Sequence, residues 1–415
     1  MCTEKSFAPS NIVTKWEEIN FKLFEKYVKR LQKRISKAYQ QDDIRKLKAL
    51  CNLLIHSFYA KALAVRIVTT RTGSNTPGID GIIWSTPEQK WNAITELRCI
   101  GYKYNTHIRV YKDKPNGSKR PLDIPTMKDR TMQTLFKFVL EPIAEINADT
   151  HSYGFRKGLS TREAITRCKE VWIENPSHIW VLEADITSFF NSISHKWLMD
   201  NIPMDVIHKD KRILKQFITS GYIEGNVFHS TDKGIPQGGS LSPVLCNMVM
   251  NGLETRLSSI DVNYIRYADD FVVTSSSREL LLSTVIPIIT EFLDERGLEL
   301  SDEKTEITNV TDGIKFLGWK LKKMGEEIII TPSNGNFRKL LLKLRDIVIE
   351  PKYTTYEQVQ PILEQSINQW MNYHKEVVTP TSLDTARDYT CSCISKWTKD
   401  DILVKFVGTL FSYES

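Results

Sequence analysis

The chain has 415 residues, of which 41% are hydrophobic and 26% charged, with a net charge of +6 and a pI near 8.7. This length predicts two or three structural units, and the absence of a long apolar run argues against a membrane-spanning helix. The first residues lack the apolar segment of a signal peptide, and the seven cysteines show no zinc-type spacing. We therefore expect reduced thiols and a cytoplasmic protein with no membrane partner.

The N-terminal region is predicted to be helical. Apolar residues recur at three- and four-residue steps across residues 21–38, which is typical of one face of a helix. The other faces carry seven cations, namely Lys22, Lys26, Lys29, Arg30, Lys33, Arg34 and Lys37. This basic face is either an ordinary solvated surface or a phosphate-binding one, and the segment alone favours neither. Gly, Ser, Asn and Pro gather in residues 69–81, which predicts a loop.

Strands and helices alternate in the middle of the chain. Residues 107–126 predict a strand, a turn at 115–117 and a second strand, and residues 128–147 predict a helix. The run HIWVLEADITSFF predicts a buried strand that ends at Asp185. YIRYADDFVVTSS predicts a hairpin whose turn holds Asp269 and Asp270. Helices are expected after Pro243 and over 279–296, with further strands within 297–323. Beyond Thr331 only helical patterns occur, which predicts a boundary near 325–332.

Acidic residues at strand ends suggest a metal site. If the strand that ends at Asp185 neighbours the hairpin, then the carboxylates of Asp185, Asp269 and Asp270 converge. Three anions a few ångströms apart repel one another, and hard, oxygen-seeking Mg²⁺ relieves that repulsion. Two such ions about 3.5–4 Å apart can activate a hydroxyl and stabilise the leaving oxygen in phosphoryl transfer.

Several ordered blocks carry a family resemblance. YADD, LEADITSFF, GIPQGGSLSPVLCNMVM, SDEKT and FLGW resemble reverse-transcriptase motifs, and KPNGSKRPLDIPTMKDR, SYGFRKGLST and TPGIDGI are similar to stretches of group II intron-encoded reverse transcriptases and maturases. The resemblance covers roughly residues 15–397. It implies an α+β right-hand polymerase fold, with a helical N-terminal extension and template-side loop at 1–80. Fingers and an antiparallel palm sheet would occupy 81–328, and an all-α, maturase X-like thumb would occupy 329–415.

The resemblance also implies roles for individual residues. Asp185, Asp269, Asp270 and the Ile186 carbonyl would hold two Mg²⁺ ions, with Mn²⁺ as a substitute. Lys304 resembles the general acid for the pyrophosphate leaving group, the alternative being an ordinary surface lysine. The residues implied to bind the incoming nucleotide are Lys114, Arg120, Phe190, Gln237 and Gly238, with Lys119 a second choice.

Phe190 resembles the steric gate that excludes a 2′-hydroxyl, although either Phe190 or Phe189 could instead be a core residue. Nucleic-acid contacts are implied for Lys61, Arg66, Arg71, Arg156, Gly318 and Trp319. Asp123 stands where the family usually has glycine, so it either weakens triphosphate binding or points away. Asn191 replaces a common aspartate. The family's C-terminal DNA-binding and endonuclease segments are expected to be missing.

Two functions follow as expectations. The first is an RNA-directed DNA polymerase that acts on an RNA template, a DNA or RNA primer and dNTPs, in intron mobility and splicing or in a domesticated role such as phage defence. The second is a maturase that binds structured intron RNA, or another non-coding RNA, with little polymerase role. The apolar C-terminal tail, VKFVGTLF, would either pack on a second copy or protein partner or close the thumb.

Overall fold

The computed structural model describes residues 14–113, 117, 119–203, 212–349, 356–398 and 400–411. The chain forms two compact units that alternate along the sequence. Unit 1 comprises Met1–Thr150, Ile186–Thr255 and Ile289–Leu300, and unit 2 comprises His151–Asp185, Arg256–Ile288 and Ser301–Ser415. The predicted boundaries at 80/81 and 328/329 stay predictions.

The described residues form seventeen α-helices and eleven strands, which include the predicted hairpins, the predicted strand before Asp185 and the helical C-terminal segment; the strands Tyr222–Glu224, Val227–His229 and Glu327–Pro332 were not predicted. After a short 3₁₀ turn, the helices are α1 (Phe21–Gln40), α2 (Ile44–His56), α3 (Phe58–Thr70), α4 (Pro87–Glu96), α5 (Met127–Ile146), α6 (Thr161–Glu174), α7 (Phe189–Ser192), α8 (His195–Asn201), α9 (Arg212–Thr219), α10 (Ser242–Met250), α11 (Leu253–Leu257), α12 (Arg278–Leu280), α13 (Ile286–Asp294), α14 (Asn334–Ile349), α15 (Tyr356–His374), α16 (Pro380–Trp397) and α17 (Asp401–Thr409). A π-helical turn, Leu281–Val285, joins α12 to α13. The strands are β1 (His107–Asp113), β2 (Lys119–Ile124), β3 (Trp180–Ala184), β4 (Tyr222–Glu224), β5 (Val227–His229), β6 (Val262–Tyr267), β7 (Asp270–Ser275), β8 (Glu306–Asn309), β9 (Ile314–Phe316), β10 (Trp319–Met324) and β11 (Glu327–Pro332).

Unit 1 begins with helices that pack on α5. The predicted apolar face of α1 is buried from Phe24 to Ala38, whereas Phe21 at its start is only half-buried. Gln32 of α1 donates a hydrogen bond to the Phe138 carbonyl of α5 at 2.9 Å. Among the described helices, none alone is long and apolar enough to span a membrane. Only α2 and α3 together, bent by 57°, pass that test of length and composition.

The sheet of unit 1 has the strand order β2-β1-β4-β5. β1 and β2 form the predicted antiparallel hairpin, and β1 pairs in parallel with β4. The hairpin turn, with Lys114, lies outside the described residues apart from Gly117. This sheet therefore carries the fingers hairpin on one side and a second, short hairpin on the other.

Unit 2 contains the predicted palm sheet. Its strand order is β6-β7-β3-β8, and every pairing is antiparallel. β3 is paired on both edges, and none of its side chains is exposed on either face of the sheet. Burial of both faces explains the continuous hydrophobic run in its sequence. The sheet, α6 and the later helices share one hydrophobic core, to which Val181, Ile265 and Val272 contribute.

The rest of unit 2 is a three-stranded sheet followed by helices. The order β11-β10-β9 is antiparallel. FLGW therefore spans the end of β9 at Phe316, the turn Leu317-Gly318 and the start of β10 at Trp319, rather than lying in one strand. Helices α14–α17 form the predicted all-α segment. The C-terminal tail packs inside this unit, because Val407 and Phe411 are buried in the same core. Of the two alternatives for the tail, closure of the thumb is therefore what the structure has.

Candidate active site

The three predicted carboxylates occupy one end of the palm sheet. β3 ends at Ala184, which pairs with Phe271 of β7, and continuing that register by one residue sets Asp185 opposite Asp270. Asp269 lies in the two-residue turn between β6 and β7, after Ala268, whose φ of +60° makes the turn tight. Asp185 and Asp269 are half-buried and Asp270 is exposed. The fold thus brings the acids together in one place, as their strand-end positions predict.

Residues 151–154 pack against the β6–β7 turn that carries Ala268 and Asp269, which we call the catalytic turn. The backbone N–H of Tyr153 donates to the Arg266 carbonyl, and the Arg266 N–H donates to His151, both at 2.9 Å. Gly154 lies so close to the turn that a Cβ there would be 2.2 Å from the Ala268 nitrogen. The fully buried guanidinium of Arg266 donates to the Ala268 carbonyl at 3.0 Å. Sequence reasoning missed Arg266, because an arginine inside an apolar strand carries no signal of what it contacts.

Lys304 pairs with one of the carboxylates. Its Nζ lies 2.7 Å from Oδ2 of Asp185. The hydrogen bond to Asp185 raises the pKa of Lys304 against the opposing effect of burial, and the charges of Asp185 and Asp270 add to the rise. Lys304 is mostly exposed, so it is a solvated cation paired with the carboxylate of Asp185. SDEKT therefore delivers its lysine to the acidic end of the sheet, which is what the general-acid prediction needs.

The donor set fits a hard divalent cation in chemistry. Within the described part of the chain, no three His, Cys, Asp or Glu side chains are arranged to hold a metal ion as they stand. The side chains of Asp185, Asp269 and Asp270 offer carboxylate oxygens, which are ligands that Mg²⁺ takes in proteins. Asp185, Asp269 and Asp270 are the side chains that would hold such an ion. To bind this ion, the carboxylate of Asp185 would give up its ion pair with Lys304.

A fourth acid lies beneath the site. Glu183 is two residues before Asp185 on β3, and its Oε2 accepts a hydrogen bond from the Lys315 N–H at 3.0 Å. Burial raises the pKa of Glu183 to about 7 against that hydrogen bond, with Glu306 across the strand pair adding to the rise. The sequence analysis gave no role to Glu183, although an acid at a core-facing strand position is a usable signal.

The residues predicted to bind the nucleotide lie in unit 1. Phe189 is buried and Phe190 is half-buried, with the two rings nearly perpendicular at 5.4 Å. Phe189 is thus the core residue of the pair, and the gate role of Phe190 stays a prediction. Gln237 is half-buried, and Gly238 is exposed with a φ of +118° that suits glycine.

The other residues predicted to bind the nucleotide or a metal differ in their exposure. Arg120 is exposed on β2 opposite Lys112 of β1, and its role stays a prediction. Lys114 lies outside the described residues. Ile186 has a buried side chain and forms an isolated bridge with Leu300, so only its predicted backbone carbonyl could serve a metal.

Packing limits one of the predicted nucleic-acid contacts. Trp319 is fully buried and stacks on Tyr373 with centroids 4.3 Å apart, so its ring belongs to the core, and a contact through its backbone stays a prediction. Tertiary packing decided this, because helix α15 covers the ring. Arg66 pairs with Glu25 at 3.3 Å.

The other contacts stay predictions. Arg71 is exposed, whereas Lys61, Arg156 and Gly318 are half-buried. Arg156 also donates a hydrogen bond to the carbonyl of Ser152. All seven cations of the basic face of α1 are exposed.

Two family models match the chain. The model described as "Reverse transcriptase (RNA-dependent DNA polymerase)" matches residues 112–321, and the model described as "N-terminal domain of reverse transcriptase" matches residues 16–97. The first covers about half of the chain and includes every predicted catalytic residue. The chain belongs to the reverse transcriptase family. Its α+β polymerase fold, with an antiparallel palm sheet and a helical thumb, agrees with that membership.

Curated relatives of this reverse transcriptase include intron proteins. Protein YkfC of Escherichia coli (strain K12) is 31% identical over 63% of this chain and 79% of its own length. Group II intron-encoded protein LtrA of Lactococcus lactis subsp. cremoris is 24% identical over 79% of this chain and 66% of its own. The putative COX1/OXI3 intron 1 protein of Saccharomyces cerevisiae matches over 38% of its length. The chain thus spans well under the full length of some relatives.

The solved structures include more distant polymerases. Telomerase from Candida albicans aligns with a TM-score of 0.41 at 15% identity, over 74% of this chain and 61% of that one. Reverse transcriptases as a family use divalent metal ions and act with RNA templates and primers.

Proposed function

We propose that this chain is an RNA-directed DNA polymerase of the group II intron type that adds dNTPs to a primer 3′-hydroxyl with two Mg²⁺ ions. The observation that carries the proposal is the register of the palm sheet, in which Asp185 lies opposite Asp270 with Asp269 in the adjoining turn. Phosphoryl transfer with two metal ions needs an intact set of carboxylates at that place, whereas RNA binding alone does not.

Each residue near the carboxylates then has a task. Asp185, Asp269 and Asp270 would hold the metal ions, and bound ions would supply activation of the attacking hydroxyl and stabilisation of the leaving oxygen. Lys304 is close enough to the acids to give a proton to the leaving pyrophosphate. In unit 1, Phe190 excludes the 2′-hydroxyl and Arg120 grips the triphosphate.

RNA is the proposed partner beyond the nucleotide. The exposed basic face of α1 supports contact with the phosphates of a template or a structured RNA, because clustered cations bind backbone phosphates regardless of base. Among the described cysteines, six carry free thiols, which supports a cytoplasmic location. Intron mobility with splicing, or a domesticated role in phage defence, are the proposed biological settings.

Primer extension tests the proposal. The purified protein is given a primed RNA template with dNTPs and Mg²⁺, beside Asp269→Asn, which keeps the size of the side chain but removes its charge. We expect extension by the wild type and a loss of about 10²-fold or more in the variant, since a metal ligand loses its negative charge. Asp312→Asn, an exposed aspartate in another turn of unit 2, is the matched control and should extend normally.

Two outcomes would contradict the polymerase. Equal extension by wild type and Asp269→Asn would show that the acids do not act. Wild-type protein that extends no primed template, yet binds a structured intron RNA tightly and promotes its splicing, would favour the maturase. Binding of Mn²⁺, followed by electron paramagnetic resonance, reports on the carboxylates independently of extension.

A further inference from the structure

A buried ion pair links the two strands of the fingers hairpin. Asp123 of β2 is only 3% exposed and lies opposite Arg109 of β1 in the strand register. Arg109 binds it with two hydrogen bonds, from Nε to Oδ1 at 2.8 Å and from Nη2 to Oδ2 at 3.0 Å. A buried carboxylate is stable only when it is paired and hydrogen-bonded, and this one is both. Asp123 is therefore a paired, almost fully buried carboxylate rather than a free surface charge.

The arginine of this pair is itself held in place. Its guanidinium lies over the ring of Tyr222, 3.3 Å from the centroid, and Tyr222 stacks on His229 with centroids 4.9 Å apart. The planar guanidinium is thereby fixed by β4 on one side and by Asp123 on the other. Arg109 thus holds the carboxylate in a single orientation.

Asp123 also holds the turn that carries Gln237. The Gln237 N–H donates to Oδ2 of Asp123 at 3.1 Å, and the Asp123 N–H donates to the Gln237 carbonyl at 2.6 Å. The next residue, Gly238, approaches so closely that a Cβ would be 2.6 Å from the Asp123 carbonyl. The side chain and backbone of one residue therefore fix this turn against the fingers hairpin.

The same segment reaches Phe190 at its other end. The Ile235 N–H donates to the Phe190 carbonyl at 2.6 Å, and a Cβ on Gly234 would be 2.7 Å from the Asn191 carbonyl oxygen. Residues 234–238 are thus a short bridge from Phe190 to Asp123. Arg109, Asp123 and Phe190 line one cavity of about 270 Å³ beside this bridge.

We propose that Asp123, held by Arg109, is a positioning residue that sets the place of Gln237 and Phe190 and thereby tunes the choice and binding of the incoming deoxynucleotide. The proposal rests on the polymerase function proposed above. Neither member of the pair needs to touch the nucleotide, because both act through the bridge. A shift of residues 234–238 would therefore move two residues at once, namely Phe190, the proposed gate, and Gln237, which is predicted to bind the nucleotide.

Steady-state incorporation of a single nucleotide tests this role. Asp123→Asn, Arg109→Gln and the double variant are compared with wild type, using dNTP and the matching rNTP. We expect each single variant to raise KM for dNTP about ten-fold and to narrow the preference for dNTP over rNTP, with kcat within about twofold. The double variant, in which two amides can hydrogen-bond, should recover part of the loss. KM and sugar preference within twofold of wild type, or a fall in kcat alone, would overturn the proposal.

Hydrogen exchange gives a readout that does not depend on polymerisation. The backbone amides of residues 234–238 should exchange faster in Asp123→Asn than in wild type, and unchanged exchange there also overturns the proposal. Glu25→Gln breaks the exposed pair with Arg66 in the same unit and is the matched control. Arg109→Lys, which keeps the charge, replaces Asp123→Asn should that variant not fold. If the wild-type protein incorporates no nucleotide, the proposed polymerase function is contradicted. The exchange rates of residues 234–238 would still show whether Asp123 holds this segment in place.

Discussion

Lys304 and Asp185 form an ion pair at the end of the palm sheet, with Nζ 2.7 Å from Oδ2. The two residues are 119 positions apart, and their meeting depends on β8 pairing beside β3. An ammonium and a divalent cation both seek carboxylate oxygens, so they compete for Asp185. In the proposed mechanism Lys304 would partly neutralise the acidic end of the sheet when no metal is bound, and it would be free to reach a leaving group when a metal takes its place.

Lys304→Met should separate these two effects. Without the ammonium, Asp185 binds Mn²⁺ more tightly in the absence of substrate, which electron paramagnetic resonance measures as a lower Kd. Nucleotide incorporation should slow by about 10²–10⁴-fold, the usual contribution of a general acid. Lys304→Arg is the control for charge. Weaker Mn²⁺ binding together with an unchanged incorporation rate would contradict both roles.

Phe190→Val should admit ribonucleotides, because the smaller side chain leaves room for a 2′-hydroxyl. The incorporation of rNTP relative to dNTP measures this directly. Phe189→Val is the matched control, since Phe189 is buried in unit 1. We expect it to lower stability, by about 1–3 kcal/mol, without changing the sugar preference. Unchanged sugar selectivity in Phe190→Val would remove the gate assignment.

His374 should make the stability of unit 2 depend on pH. It is fully buried, with Nε2 3.2 Å from Oδ1 of Asn336, and burial lowers its pKa to about 4. The unfolded chain takes up a proton near pH 6.5, so stability is full above that pH and is lost as pH falls toward 4. The loss is about 3 kcal/mol at most.

Chemical denaturation at several pH values measures the effect. The wild type should lose more stability between pH 6.5 and 4 than His374→Gln, which does not titrate. The difference between the two curves isolates His374 from the other histidines. Parallel curves would show that His374 is not held neutral.

Gly154→Ala should disturb the catalytic turn, because the added methyl would be 2.2 Å from the Ala268 nitrogen. A displacement of about 1 Å at reacting groups can cost about 10²-fold in rate, so incorporation should fall by that order. Gly335→Ala is the control, since an added Cβ there meets nothing within 4 Å. Incorporation by Gly154→Ala at the wild-type rate would show that the close packing of this segment does not position the acids.

The basic face of α1 should set part of the salt dependence of RNA binding. Each phosphate contact contributes about 0.7–0.9 to the slope of log K against log salt. Replacing Lys26, Lys29 and Lys33 by glutamine should therefore reduce that slope by about 2, measured by fluorescence anisotropy between 50 and 300 mM salt. Glutamines at three scattered exposed lysines (Lys103, Lys169 and Lys396) serve as the control. Equal slopes in the two triple variants would show that the basic face of α1 is an ordinary solvated surface and does not bind phosphates.

The sequence by itself determined the elements and the identity of the acids. Apolar periodicity located α1 and its buried face, and the continuous apolar run located β3, because helix and strand periods follow from backbone geometry alone. The family motifs named Asp185, Asp269 and Asp270, and the sheet register then put these acids at one end. Trp319 shows the limit, because a local motif does not reveal that Tyr373 and its helix cover the ring.

Only the tertiary structure decided which distant side chains meet. Asp123 looked like an unexplained acid near the nucleotide until the strand register paired it with Arg109 and the turn at Gln237 closed on it. Glu183 likewise accepts its hydrogen bond from Lys315, which is 132 positions away in the chain. The pattern that encodes a helix or strand lies within a few neighbouring residues. The partners of a buried charge such as Asp123 come from distant parts of the chain, so the local sequence does not identify them.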